Sequence, residues 1–374
     1  MELRRCSLNI NRMTNNIINR YFFDLIKVAV GSRNSLSGIP TSDEWKGIYA
    51  LARRQTLIGV LFSAIDRLPK EQRPPRPLLL EWFAAMEIIQ EQNSKVNRDA
   101  VKLCEVIRND GLRCVVLKGQ GIATYYPDPS LRQPGDIDLW IEGGSKKVLA
   151  YLRTKSEVRD IFYTHAEYDA PVLSEVEVHH HPTYLYNPFF LRRLNRYFEE
   201  QDELFENSIE LSDGSGRIYL PTVEFNRYYI LQHIYRHYFG EGIGLRQLLD
   251  YYYVLVKGGT EESKQRTMKL FKETGMEKFA GASMWVMKEV FGLEEKYLLC
   301  KPHVQAGQQL LNEVMIAGNF GKYDTRIDKT NHHKLIPRVC NYVKRNIRFV
   351  LGYPQEILFE IPMRTYMYIW KHFV

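Results

Sequence analysis

Two aspartates stand one residue apart in the run Gly135-Asp136-Ile137-Asp138-Leu139-Trp140-Ile141. The run reads as a β-strand, where residues i and i+2 point to one face about 6–7 Å apart. Asp136 and Asp138 then project side by side, with Ile137 and Leu139 on the opposite face. Like charges that close repel unless a cation lies between them, so the pair predicts a divalent-metal site. Upstream, Leu117-Lys118-Gly119 reads as the start of a helix. Free N–H groups at such a start, with a glycine that lets the backbone approach, suit an anion. Lys118 and Arg132 flank the acids and can neutralise phosphate charge, although each can equally serve as a structural charge at a strand end or in an ion pair. The combined chemistry is the handling of a nucleoside triphosphate at a metal site.

A two-metal centre usually needs a third carboxylate. In Glu175-Val176-Glu177-Val178-His179, alternation puts Glu175, Glu177 and His179 on one face and the valines on the other. Glu177 reaches the metals if this strand lies beside the aspartate strand, and Glu175 is the fallback. His179-His180-His181 does not read as a zinc site, because successive strand residues face opposite ways. His233 and His237 stand at i and i+4 on a helix, but Ile234 occupies the place where a zinc protease needs its glutamate, so they read as core or groove histidines. Arg246 and Asp250, also at i and i+4, read either as an intrahelical ion pair or as the lining of an acceptor cleft.

The elements that must position these residues are mixed. Residues 17–110 read as helical, with a Gly/Ser/Pro-rich break at 31–40, a capping box at Thr41 and Glu44, an apolar-periodic run from there to Leu68, and a long helix from about Leu78 to Asn109. Short strands are expected at 113–117, 135–141, 162–169 and 172–180, the last two joined by a turn at Ala170-Pro171. Helices are expected at 119–126, at 145–153 with Ser145 as its cap, and at 190–206, followed by a turn at 213–216. From Thr222 the chain is helical to about 320, through Tyr-rich helices at 222–239 and 244–257, with a polar loop at 318–333. The segment 334–374 is rich in Arg, Lys and aromatics and reads as a helix packed on the body, with a membrane- or partner-docking surface as the alternative. The 24 tyrosines suit a core or an aromatic-lined groove.

At 374 residues the chain is ample for two or three domains. A net charge of +7 permits a polyphosphate or nucleic-acid partner without requiring one. The five cysteines form no CxxC pair, which predicts free thiols, no structural zinc and a cytoplasmic setting. The polar segment 1–19 lacks the apolar run of a signal peptide, and no stretch of about 20 apolar residues predicts a transmembrane segment.

The run from Leu117 to Ile141 resembles the signature of the DNA polymerase beta-like nucleotidyltransferase superfamily. More closely, the chain resembles the bacterial family called uncharacterised nucleotidyltransferase. The residues that carry the likeness are Lys118-Gly119, Tyr126-Pro127, Arg132, Gly135-Asp136-Ile137-Asp138, Glu177-Val178-His179, and the later stretch from Gln232-His233 to Asp250. The resemblance implies an α+β fold, with a small mixed β-sheet nucleotidyltransferase core over 111–205 between helical regions 1–110 and 206–374. It implies transfer of a nucleoside monophosphate from an NTP, ATP being favoured, with release of pyrophosphate and with Mg²⁺ or Mn²⁺ held by Asp136, Asp138 and Glu177. Lys118, Gly119, Gln120, Arg132, Gly135, His179, Arg246 and Asp250 would contact substrates. The acceptor stays open among a small molecule, a protein and RNA. One departure stands out: the superfamily's Gly-Ser is Gly119-Gln120 here, so a serine hydroxyl for phosphate is missing. That departure leaves a non-catalytic binding protein, or a toxin–antitoxin-type module acting on RNA or protein, as alternatives.

Overall fold

A computed structural model describes residues 16–326 and 335–374. The expectations for residues 1–15 and 327–334, including Cys6 and the later part of the polar loop, lie outside the described residues.

The chain begins with α1 (Ile17–Ala29), whose N-cap Asn16 accepts from the Ile18 amide. Thr41 and Glu44 form the expected capping box at the start of α2 (Ser42–Arg54). The periodic run does not continue unbroken to Leu68, because α3 (Ile58–Ile65) is a separate helix. The break is a tertiary effect. The buried Gln55 amide donates to the Val314 carbonyl and accepts from the Leu245 amide, and Thr56 takes φ +54°. Gly59 in α3 lies against the backbone of Leu131, where a Cβ would run into the carbonyl oxygen. The long helix α4 (Arg76–Asn109) follows, 34 residues and about 50 Å from end to end.

The sheet is built from β1 (Cys114–Val116), β2 (Ile137–Ile141), β3 (Val158–Ile161), β4 (His165–Tyr168) and β5 (Val176–His179) in the order β1-β2-β5-β4-β3. β2 and β5 run parallel, and the other neighbours are antiparallel. It is thus the small mixed sheet of an α+β fold. One face carries Cys114, Val116, Ile137, Leu139, Val176 and Val178, packed under the second half of α4 and under α6 (Gly144–Lys155). The opposite face carries Val115, Leu117 and Trp140 into a larger core shared with the helical regions. Trp140 is enclosed there by Phe198, Phe205 and Phe225. Asp138 and Glu177 lie on this second face.

Several element bounds differ from the sequence expectation. The helix expected at 119–126 is the short α5 (Gly119–Ala123). Ser145 does not cap α6; its N-cap is Gly143 at φ +105°, and the Ser145 hydroxyl instead meets His180 and His181. The helix expected at 190–206 is α7 (Pro188–Glu199) followed by a separate 3₁₀ turn, Asp202–Glu206. The 213–216 turn joins a small hairpin, β6 (Ser208–Glu210) with β7 (Arg217–Tyr219), and β3 was likewise unexpected. The Tyr-rich helices stand as α8 (Val223–Phe239) and α9 (Leu245–Val256), followed by α10 (Glu261–Glu273), α11 (Glu277–Phe291) and α12 (Val304–Ala317). The C-terminal segment forms α13 (Leu335–Phe349) and α14 (Pro354–Lys371), the latter laying Trp370 on His180 and Tyr163. Among the described residues, no helix is long and apolar enough to cross a membrane.

The loop between α5 and β2 is pinned from two sides. Asn93 of α4 donates to the carbonyls of Ser130 and Arg132, both at 2.7 Å. Arg132 is buried and grips Asp250 of α9 through two hydrogen bonds of 2.7 and 2.8 Å, while Tyr126 donates to the same carboxylate at 2.6 Å. Burial opposes the guanidinium charge, and Asp250 restores it. Removing one partner of a buried pair leaves an uncompensated charge and typically costs about 3–5 kcal/mol, whereas apolar replacement of both is often near neutral. Asp250→Ala is therefore expected to lower the urea-unfolding free energy by about 3–5 kcal/mol. The double variant Arg132→Met, Asp250→Leu is expected to recover part of that loss, the Tyr126 hydroxyl being left without its acceptor; an unchanged midpoint in Asp250→Ala would contradict the role assigned to the pair.

Candidate active site

The site is assembled where the N-terminal ends of β2 and β5 meet the start of α5. Leu117 extends β1 by donating its amide to the Asp138 carbonyl. The chain then turns sharply through Gly119 at φ +48°, a conformation only glycine adopts readily, with the Asp136 carbonyl 3.4 Å from where a Cβ would stand. The turn sets the Lys118 ammonium 2.7 Å from Asp138 Oδ1 and 3.5 Å from His233 Nε2.

Parallel pairing places Asp138 directly opposite Glu177, and one carboxylate oxygen each from Asp136, Asp138 and Glu177 falls within 4.8 Å of the others. His179 completes the cluster, with Nε2 2.9 Å from Asp138 Oδ1 and 3.5 Å from Glu177 Oε2. His165, the register partner of His179 on β4, points Nε2 at Glu177 Oε2 across 3.8 Å.

These charges shape one another. The Asp138 charge, with burial second, pushes the Asp136 carboxyl up to about 6. Burial also works against Asp138, but the Lys118 ammonium and the His179 hydrogen bond hold its carboxyl well below the usual carboxylate range. Burial would raise Glu177 too, and His179 brings it below its ordinary value. Lys118 is desolvated, yet the three carboxylates raise it above the ordinary lysine range. Burial disfavours the His179 imidazolium, and its two acid neighbours raise it nonetheless. Burial and the nearby His179 push His165 down to about 4. Three carboxylates are thus held close enough to push one of them up, a crowding that a bound cation would relieve.

The sequence-read residues divide into two groups. Lys118, Gly119, Gly135, Asp136, Asp138, Arg132, Arg246 and Asp250 line one cleft with His233 and Phe320. Its cavity is about 50 Å³, room for one or two small groups. Glu177 and His179 border the acids from β5. Gln120 does not join them. It is buried on the far side of its turn, with its amide on Asn97 and, at 3.3 Å, on Asn93 of α4, so it offers nothing to a phosphate. Arg132 is held by Asp250, and Arg246 and Asp250 do not form the intrahelical pair. Arg246 instead donates to the Gln133 carbonyl at 3.2 Å, and its Nε has no hydrogen-bond partner among the described residues. Burial and the neighbouring Arg132 charge lower it from the ordinary arginine range. Glu175 is exposed and lies before the strand, outside the acid cluster.

His179, His180 and His181 do not converge: His179 faces the acids, while His180 and His181 share the Ser145 hydroxyl. Sequence reading missed His165. Its signal was the alternation His165-Ala166-Glu167-Tyr168, which sets a face but not the strand it pairs with.

No curated protein and no solved structure matches the chain. A protein family described as uncharacterised nucleotidyltransferase matches residues 41–292, a span that holds every acid of the cluster together with Lys118, Gly119, His179 and Arg246. With the turn, the paired aspartates and the facing glutamate in place, the chain belongs to the uncharacterised nucleotidyltransferase family.

Proposed function

We propose that the protein transfers a nucleoside monophosphate from an NTP, ATP being favoured, to an acceptor hydroxyl. The observation that carries this reading is the meeting of Asp136, Asp138 and Glu177 within 4.8 Å on two paired strands, beside a cleft walled by Lys118 and Arg246. The donors are carboxylate oxygens, the set that suits Mg²⁺ and, with the same geometry, Mn²⁺. Asp136, Asp138 and Glu177 would hold the ion, which would neutralise phosphate charge and stabilise the departing pyrophosphate.

The chain's own residues supply the rest. Lys118 and Arg246 would bind phosphate oxygens, Lys118 as a point charge and Arg246 through its unpartnered Nε edge. Gly119 keeps the α5 turn against Asp136, so that cation and acid share one wall. The cavity of about 50 Å³ beside the acids would take phosphate oxygens, and the larger ribose and base would lie outside it. The acceptor oxygen would form a bond to the α-phosphorus as the bond to the β-phosphate bridging oxygen breaks. The electron pair leaves with pyrophosphate, and the hydroxyl proton passes to the Glu177 carboxylate, with His179 beside it at 3.5 Å. Lys118 and Arg132 were both candidates for the phosphate grip; the Asp250 clamp on Arg132 gives the second place to Arg246. Gln120 plays no part in that grip. The unbridged thiols of Cys104, Cys114 and Cys300 fit the reducing cytoplasm in which we place the protein.

Incubation with α-labelled NTPs, Mg²⁺ and a cell extract is expected to label an acceptor and release pyrophosphate. Asp138→Asn and Asp136→Asn are each expected to reduce labelling by about 10²–10³-fold or more. Asp136 is the more solvent-accessible of the two, so its variant keeps the test clear of folding defects. Wild-type labelling in both variants would overturn the reading, and NTP binding without labelling of any acceptor would favour a non-catalytic protein.

The electrostatics make a second expectation. In the metal-free protein, the Asp136 carboxyl should titrate near 6 by carbon NMR, because Asp138 faces it. Below that pH it is protonated; above it, it is charged and ready for an ion. Asp138→Asn should bring its midpoint down toward the ordinary carboxylate range, and added Mg²⁺ should do the same in the wild type. A midpoint unmoved by either change would contradict the side-by-side placement.

A further inference from the structure

Glu177 faces two sets of ligands at once. Toward β2 it meets the aspartates. Toward β4 it meets His165 and His179, which are register partners with ring centroids 5.2 Å apart. Both imidazoles turn Nε2 to the same oxygen, Glu177 Oε2, at 3.8 and 3.5 Å.

The outer nitrogens of both rings are engaged. His179 Nδ1 lies 3.3 Å from the His181 carbonyl oxygen, and His165 Nδ1 lies 3.0 Å from the Thr164 hydroxyl. A carbonyl oxygen only accepts, so His179 Nδ1 carries the hydrogen. His179 Nε2 then turns its lone pair on the oxygens of Asp138 and Glu177, an arrangement that needs a cation, either a proton or a metal ion. An outer N–H on a carbonyl with the inner nitrogen free for the ion is the usual setting of a metal-bound histidine.

One ligand atom from each of His165, Glu177 and His179 lies within 4.8 Å of the other two. Ligands each about 2.1 Å from one ion can stand up to about 4.2 Å apart, so small side-chain movements close the set. His165 and Glu177 are partly exposed, which gives an ion a way in.

We propose that His165, Glu177 and His179 bind a borderline divalent ion of the Zn²⁺ class, adjacent to the carboxylate set and sharing Glu177 with it. Two imidazole nitrogens select such an ion over Mg²⁺, which prefers oxygen throughout. The proposal rests on the β4–β5 register and the two outer hydrogen bonds, and it stands whether or not the chain transfers nucleotides.

The test uses the full chain, stripped with a chelator and titrated with Co²⁺ in the presence of excess Mg²⁺. The readouts are the visible absorption of nitrogen-ligated cobalt and displacement by Zn²⁺. One Co²⁺ per chain is expected, displaced by Zn²⁺ and not by Mg²⁺. His165→Gln should weaken binding by more than tenfold, and Thr164→Ala, which frees the outer nitrogen of His165 without touching the ligands, by about 10-fold. Asp136→Asn should leave the nitrogen-ligated cobalt spectrum unchanged and weaken binding less than His165→Gln does, since Asp136 is near the set but not in it, even if it abolishes nucleotide transfer. Circular dichroism and thermal melts establish that the variants fold; if His165→Gln does not, Thr164→Ala decides. No cobalt spectrum under excess Mg²⁺ would mean that a proton fills the gap and would overturn the proposal. So would undiminished binding in the folded His165 and Thr164 variants, or binding lost with Asp136→Asn alone, which would place the ion among the carboxylates.

Discussion

The parallel pairing of β2 with β5 is the constraint on which the rest depends. It puts Asp138 opposite Glu177, on the sheet face that also carries Trp140 into the aromatic core. A slip of one residue in either strand would turn its acid onto the other face, among the apolar side chains of the neighbouring strands such as Val116, where a carboxylate has no partner. The two cores on either side of the sheet therefore fix the register, and the register fixes the charge cluster. The fold holds three negative charges together by means of hydrophobic contacts that have nothing to do with them.

Holding them together is costly, and Lys118 is the compensation built into the chain. Its ammonium touches Asp138 and lies within the field of all three acids. It reaches that place because Gly119 turns immediately after it and Gly121 lets α5 press on the Val116 carbonyl, where a Cβ would stand 2.8 Å away. The loop that brings Asp136 back to the same point is fastened from α4 by Asn93 and from α9 by Asp250. Both fasteners come from helices outside the sheet, so the helical regions are part of the site's geometry and not a shell around it. Arg132, which resembles a phosphate ligand in sequence, is used up in that fastening.

What was legible in the sequence follows from the range of the interactions. The period of two in Asp136-Ile137-Asp138 and in Glu175-Val176-Glu177-Val178-His179 announced shared faces, and a face is a local property. Lys118-Gly119 was legible for the same reason. Gln120 was not. Its orientation is set by Asn93 and Asn97 on α4, and nothing between positions 93 and 120 marks that contact. The Arg132–Asp250 pair spans 118 positions, and at that distance a neighbour at i and i+4 such as Arg246 looked the better partner. His165 was lost because pairing across a hairpin depends on where the turn falls. The expected strand at 162–169 proved to be β4 alone, with residues 162–164 forming the bend after β3. Secondary-structure bounds failed in the same manner, since Ser145 has the chemistry of a cap but was claimed by two histidines from the end of β5.

The family match ends at residue 292, yet the chain continues to act on the strands of the site. Trp370 of α14 lies against His180, the residue after His179, and Tyr366 and Trp370 both pack on Tyr163, two positions before His165. Tyr163 in turn stacks on His181. The same helix is anchored below by Glu360, which takes both Arg345 and Arg364. Thus the acids, the lysine and the turn lie within the matched span, while an aromatic wall at the far ends of β4 and β5 is built by a segment outside it. Membership of the family speaks to the reaction type and is silent on the acceptor, because a shared fold does not fix the substrate.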